Sequence, residues 1–412
     1  MIEFKKTTLS NGLKLIIHED RSTPLACLNI LYDVGARDED PGKTGFAHLF
    51  EHLMFGGSVN IPSYDEPLQR AGGENNAFTN NDITNYYLTL PAQNLETGFW
   101  LESDRMLSLA FSEKSLKVQK SVVIEEFKQR YLNQPYGDVW LLLRPLAYKV
   151  HPYQWATIGK DVSHIEDATM QDVKDFFFRF YRPNNAVMVV AGNVKTDEVI
   201  KLVEKWFGNI PKGEISVRKL PLEPLQTEAR KLSVERDVPL NAIYKVYHSC
   251  SRGDKEFYAV DLISDLLSRG NSSRLYNGLV KDKKMFSEIS AYMSGEFDKG
   301  LFVVAGKMNN GVSMEAAEAA IISELNKLKT EKIREDELTK VKNKSEATLV
   351  FSETEVLNKA MNLAVAELQG DANDVNTESE KYQKVRAEQI MEQANIIFKE
   401  SNCSTLYYNS KK

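Results

Sequence analysis

The segment STPLACLNILYDVG at 22 to 35 can be laid over DVPLNAIYKVYHSC at 237 to 250, matching Pro24-Leu25 to Pro239-Leu240 and Tyr32 to Tyr247. HLFEHLMFGG at 48 to 57 then overlays DLISDLLSRG at 261 to 270, keeping the apolar positions and the terminal glycine. Two matches in the same order and at nearly the same offset point to a duplicated chain, because chance similarity does not keep register over such a distance. A chain of 412 residues is also too long for one ordinary core. Between the copies, IPKGEISVRKLPLEPLQTE from Ile210 to Glu228 shows no sustained period and carries Pro211, Pro221 and Pro224, which marks a linker. The expected division is a first domain over 1–215, a linker over 216–228 and a second domain over 229–412.

Each half mixes strand and helix signals. Alternating Leu13, Leu15 and Ile17 follow the Asn11-Gly12 turn, and a second strand pattern runs from Ala26 to Val34. GFAHLFEHLMF then places Phe46, Leu49, Phe50 and Leu53 at helical spacing, with Gly56-Gly57 as a stop. Two β-runs, Asn76 to Thr79 and Thr84 to Leu90, precede helical patterns over Ala92 to Leu109 and Glu113 to Tyr131, the latter with Ser112 as a cap. A further helix carries Val173, Phe176, Phe177 and Phe180, and Asn185 to Val190 forms an apolar strand ending at Gly192.

Charge and cysteine content exclude several functions. Lys+Arg 52 against Asp+Glu 58 leaves a net charge of -6, without the basic excess that nucleic acid requires. Cys27, Cys250 and Cys403 are odd in number and widely spaced, so neither a disulfide framework nor a thiolate zinc site is expected, and a reducing compartment fits. No run of about 18 apolar residues offers a membrane span. These features predict a cytoplasmic protein with no membrane or nucleic-acid partner, unless a leader segment has been removed.

His48-Leu49-Phe50-Glu51-His52 is the reverse of the H-E-x-x-H zinc motif. On a helix, His48 and His52 stack on one face and can share one Zn²⁺ at about 2.0 to 2.1 Å, while Glu51 remains beside the metal as a free carboxylate and candidate base. With six histidines placed at random, the pattern would arise somewhere with a chance on the order of one in a hundred. The competing reading is two unrelated histidines, but imidazoles among Phe46, Leu49, Phe50, Leu53 and Met54 are costly to bury without partners. Catalytic zinc usually takes a third protein ligand, and VVIEEFKQR offers Glu125 and Glu126. His151, His164 and His248 lack a spaced partner and read as surface or core histidines. Phe176 to Phe180 reads as core packing, and Lys327 to Lys344 as a solvated helical face.

With HLFEH, NAFT at 76 to 79, VVIEE at 122 to 126, HPY at 151 to 153 with Gly159 behind it, YRPNNAVMVVAGNV at 181 to 194 and, more loosely, SSRLYNGLV at 272 to 280, the chain resembles the pitrilysin (insulinase) family of inverted-motif zinc peptidases. The match is to its short two-domain branch, related to mitochondrial processing peptidase and the respiratory-complex core proteins. The resemblance implies an α+β fold of two homologous domains, each a mainly antiparallel sheet packed with helices, together one half of a clamshell. It implies one Zn²⁺ on His48, His52 and Glu126, the last residue of the family's V-V-x-x-E pattern, with Glu125 as the adjacent fallback. Glu51 is then the base of a zinc endopeptidase, and Asn76, Ala77, Phe78 and Thr79 form the edge strand onto which a peptide substrate adds.

Two departures qualify this reading. Gln119 stands where the family usually has a glutamate seven residues before the zinc glutamate. In the second half, Val280 and Ser287 occupy the positions of the Arg and Tyr that hold the substrate carbonyl in family enzymes complete in one chain. The expected assembly is therefore a heterodimer with a related subunit supplying Arg and Tyr, or a homodimer. The alternative function is a non-catalytic, core-type structural subunit of the same fold. In the second copy His48, Glu51 and His52 become Asp261, Ser264 and Asp265, so that copy is expected to bind no metal.

Overall fold

A computed structural model describes residues 1–214 and 217–411. The first half runs β1 (Lys5–Thr8), β2 (Lys14–Glu19), β3 (Leu25–Tyr32), α1 (Phe46–Leu53), α2 (Asp65–Arg70), β4 (Glu74–Thr79), β5 (Thr84–Pro91), α3 (Leu95–Leu107), α4 (Glu113–Phe127), α5 (Val139–Ala147), α6 (Ser163–Glu166), α7 (Met170–Phe180), β6 (Ala186–Gly192) and α8 (Thr196–Phe207). The second half runs β7 (Arg230–Arg236), β8 (Ala242–His248), α9 (Phe257–Ser268), β9 (Phe286–Met293), β10 (Leu301–Met308), α10 (Met314–Thr330), α11 (Glu335–Ser352), α12 (Val356–Gln369), α13 (Glu378–Gln383), α14 (Ala387–Ile397) and β11 (Cys403–Ser410). The predicted elements of the first half fall on these, with shifts of a few residues at their ends. The predicted helix 92–109 opens as a 3₁₀ turn and is α-helical only over Leu95–Leu107, and 113–131 leaves the α-helix at Phe127 for a single π turn.

The two sheets share one topology. Their orders are β1-β2-β6-β3-β5-β4 and β7-β11-β8-β10-β9. In the first, β2 runs parallel to β6 and all other neighbours are antiparallel. In the second, β7 runs parallel to β11 and the rest are antiparallel. Leaving out β1, every strand of one sheet has a counterpart at the same place in the other. The duplication read from two short matches therefore extends to the strand order, and the fold is α+β with two sheets packed with helices.

The compact units do not follow the linear halves. One holds Met1–Arg130, Trp155–Pro221 and Val350–Thr377, and the remaining stretches, 131–154, 222–349 and 378 onward, make the other. Residues 131–154 and 350–377 thus lie on the opposite side of the expected partition, whose 215/216 boundary is outside the described residues. The cause is the burial of α5 and α12, which occupy equivalent places as the third helix after β5 and after β10. α5 packs on β11, β7 and β8, where Val139, Leu143 and Ala147 meet Val246, Leu301, Val303 and Leu406. α12 packs on β6, β3 and β2. Every residue of β6 is buried, so both faces of that sheet centre need cover, and α12 supplies one of them. An amphipathic pattern says that a helix buries one face, but not against which sheet.

In the first unit, α1 is set by its ends and its apolar stripe. Its N-cap, Gly45, has φ +89, and a Cβ there would stand 2.6 Å from the Ile158 carbonyl oxygen, so only glycine fits. The Glu39 carboxylate accepts from the Gly45 and Ala47 N–H groups at 2.9 and 2.8 Å, satisfying donors that the first helical turn leaves open. Phe46, Leu49, Phe50 and Leu53 are buried, with the Phe50 ring 5.0 Å from Phe176 of α7 and 5.1 Å from Tyr181.

Leu363 of α12 is fully buried. Leu363→Ala is expected to lower stability by about 2 to 5 kcal/mol in urea unfolding, through lost apolar burial and the cavity left behind. A loss well under 1 kcal/mol would show that α12 does not hold the first sheet.

Candidate metal centre

The stripe that buries Phe46, Leu49, Phe50 and Leu53 turns His48, Glu51 and His52 to the other side of α1, where all three are half-buried. α4 packs against this helix. It starts at Ser112, whose hydroxyl accepts from the Ser115 N–H at 3.0 Å, and it buries Leu116, Val123 and Phe127 at spacings of seven and four residues. That orientation brings Glu126 to the histidines. Glu125 points about 100° away, is 61% exposed and pairs with Lys128 at 2.9 Å.

The Glu126 Oε2 atom lies 3.7 Å from His48 Nε2 and 3.4 Å from His52 Nε2. Ligand atoms about 2.0 to 2.1 Å from a tetrahedral ion stand about 3.3 to 3.4 Å from one another, and with all three ligand atoms within 4.8 Å of one another this group could hold a metal ion. Among the described residues, this is the group of three potential ligands close enough to share an ion. Burial, and then the neighbouring His52, push His48 down to about 4, so its imidazole is neutral and offers a lone pair. The His52 imidazole holds the Glu126 carboxyl below its usual range against the cost of burial. These are the protonation states that metal ligands need. His48 Nδ1 is buried and makes no hydrogen bond among the described residues, whereas metal-bound histidines usually donate from their second nitrogen. Gln119 is half-buried on α4.

Glu51 stands beside these ligands without joining them. Its Oε2 accepts from the Thr79 hydroxyl at 2.6 Å, and burial raises its carboxyl while that bond opposes the rise. A carboxyl so placed can exchange protons with a water at the site. Thr79 ends β4, which forms one edge of its sheet, with Asn76 and Phe78 exposed and Ala77 and Thr79 half-buried. The free side of that edge can accept an extended backbone.

Two contributors were not read from the sequence. Glu39 caps α1, and its signal was an acid six residues before a glycine at a helix start. Arg130 lies 2.9 Å from the second oxygen of Glu126, and its signal was the i, i+4 spacing from an acid. In the second copy, Asp261 accepts from Tyr382, Asp265 pairs with Arg269 and accepts from Ser345, and the Ser264 hydroxyl bonds the Asp261 carbonyl. The residues that correspond to the candidate ligands His48 and His52 are thus engaged by protein partners. Val280 packs on the second core, and Ser287 bonds the Lys307 carbonyl, so neither offers a cation or a phenol. The remaining histidines are built into the fold: His18 bonds the Glu3 carbonyl, His164 accepts from Thr44, His248 bonds the Ala147 carbonyl, and His151 faces Asp298.

Comparison with known proteins bears on the family and the fold. Residues 14–145 match the family model described as insulinase (peptidase family M16), and residues 167–345 match that of the peptidase M16 inactive domain. The zinc protease PqqE of Helicobacter pylori is 30% identical over 98% of this chain and 92% of its own length. The crystal structure of a protease from Helicobacter pylori is 29% identical, with a TM-score of 0.93 over 99% of this chain and 100% of that one. An Arabidopsis thaliana protein named as a probable mitochondrial-processing peptidase subunit beta is 23% identical over 85% of this chain and 67% of its own. The chain belongs to the insulinase family of peptidases, M16.

Proposed function

We propose that the chain is a zinc-dependent endopeptidase that cleaves extended or unfolded peptides. The observation that carries this reading is the convergence of His48, His52 and Glu126 at ligand spacing, with the Glu51 carboxylate beside them. Bound there, zinc would supply a Lewis acid for the scissile carbonyl and for water. His48 and His52 lend neutral nitrogens and Glu126 a negative charge. Glu51 takes the proton of the attacking water and passes it to the leaving amine nitrogen. Asn76 to Thr79 align the substrate by main-chain pairing at the edge of the sheet, a mode that accepts many sequences but requires an unpaired peptide backbone.

The chain supplies only part of the chemistry. The developing oxyanion needs hydrogen-bond donors, and Val280 and Ser287 do not provide those of an Arg and a Tyr. A related second subunit carrying both residues completes the site, whereas a homodimer would not. That one relative is named as a subunit supports a paired assembly. The missing donors are also the one observation favouring a non-catalytic structural subunit, which predicts no zinc-dependent turnover in any assembly.

Purified protein is expected to carry one equivalent of zinc by elemental analysis. His52→Ala or Glu126→Gln should remove it, and Glu125→Gln should not; zinc retained by the first two variants would overturn the ligand set. Glu51→Gln should keep its zinc while kcat for an unstructured peptide falls by about 10² to 10⁴, since the amide cannot accept the proton. Undiminished turnover by that variant would remove Glu51 as the base. Adding the related subunit should raise kcat/KM by about 10² to 10³, the cost of a missing oxyanion donor, and full activity of this chain alone would refute the two-chain assembly.

A further inference from the structure

Glu51 is a flexible side chain placed between two metal ligands, and its carboxylate works as a base only if one oxygen faces the attacking water. The structure holds the other oxygen. Thr79 donates its hydroxyl proton to Glu51 Oε2 at 2.6 Å, and no hydrogen bond within the described protein engages Oε1.

Thr79 is itself unusually well fixed. It pairs with Thr84 as the last pair before the β4–β5 turn. The Asn80 side chain closes that turn by accepting from the Asp82 and Ile83 N–H groups at 2.8 and 2.9 Å, and the Asn80 N–H bonds the Ile83 carbonyl at 3.0 Å. The turn is clamped to the segment entering α1. Ala36 and Arg37 N–H groups bond the Asn80 and Asn81 carbonyls at 3.1 and 2.9 Å, and the buried Arg37 and Asp82 form an ion pair at 3.0 Å. A Cβ at Gly35 would stand 2.5 Å from the Asn81 carbonyl, so the two segments approach as closely as backbones can. Two residues beyond Arg37, Glu39 caps α1. The frame that fixes the Thr79 backbone therefore also fixes the helix that carries Glu51. Threonine is β-branched and stiff at χ1, so the hydroxyl direction follows from the backbone.

We infer that Thr79 is a positioning residue for the base: it pins Glu51 Oε2 and leaves Oε1 as the acceptor of the water's proton. This assigns to Thr79 a role apart from substrate pairing, and it rests on the peptidase reading above. The hydroxyl keeps its own proton throughout, and only Oε1 gains and loses one.

Thr79→Val keeps the shape and removes the donor, Thr79→Ala removes donor and bulk, and Thr79→Ser restores a donor. Crystal structures of the three and of the wild type should show the Glu51 carboxylate in its present orientation in the wild type and the Ser variant, and turned away in Val and Ala. With an unstructured peptide, Val and Ala should lose about tenfold to a hundredfold in kcat, the scale of a misplaced catalytic group, with KM and zinc content unchanged and Ser near wild type. An unmoved Glu51 in both Val and Ala, or a rise in KM at constant kcat, would overturn the inference. Absence of turnover in the wild type would count against the peptidase reading alone, because the crystal structures still decide whether Thr79 holds Glu51.

Discussion

Helix α1 must bury Phe46, Leu49, Phe50 and Leu53 on one side while holding two imidazoles and a carboxylate on the other. A helix this short has little stability of its own, so its tertiary contacts and its ends decide whether it forms. Phe176 and Tyr181 supply the contacts, and Gly45 with the Glu39 carboxylate supplies the N-terminus. Glu39 is itself a buried acid whose carboxyl is pushed up to about 8 by desolvation against the pull of its two N–H donors. The whole site hangs from this arrangement. His48, Glu51 and His52 can converge with Glu126 only because the apolar stripe leaves α1 one way to face.

Duplication explains how a chain of this length can place its chemistry in a single spot. Leaving out β1, both copies build the same sheet and follow β3 and β8, which hold the same place in it, with a helix. In α1 the polar positions His48 and His52 converge with Glu126 as a candidate ligand group. In α9 the Asp261 and Asp265 carboxylates are taken up by Tyr382, Arg269 and Ser345, so the same backbone becomes a closed structural element. The difference is one of partners rather than fold. The exchange of α5 and α12 then makes each unit depend on residues from both halves of the sequence. A change in 350–377 is thereby felt by the sheet that packs with α12 in the unit carrying the candidate site.

Much of this was legible in the residues. Helical spacing placed His48 and His52 on one face, the Ser112 cap and its apolar stripe made a helix of 113–131, of which the α-helix keeps 113–127, and two short matches revealed the repeat, because each of these depends on neighbours within a few turns or on direct copying. The choice of Glu126 over Glu125 needed family resemblance at first, since both lie on one helix, and the packing of α4 on α1 then separates them physically. Three features were decided only by the tertiary structure. Which sheet α5 and α12 cover depends on apolar faces that would fit either. The bond from Thr79 to Glu51 joins residues of separate elements, and nothing in NAFT announces it. Glu39 became a cap because the chain folds back to bring its carboxylate over the first turn of α1. Local periodicity determined the elements and the motif; long-range packing determined their partners, since a side chain's partner across the fold leaves no periodic trace along the chain.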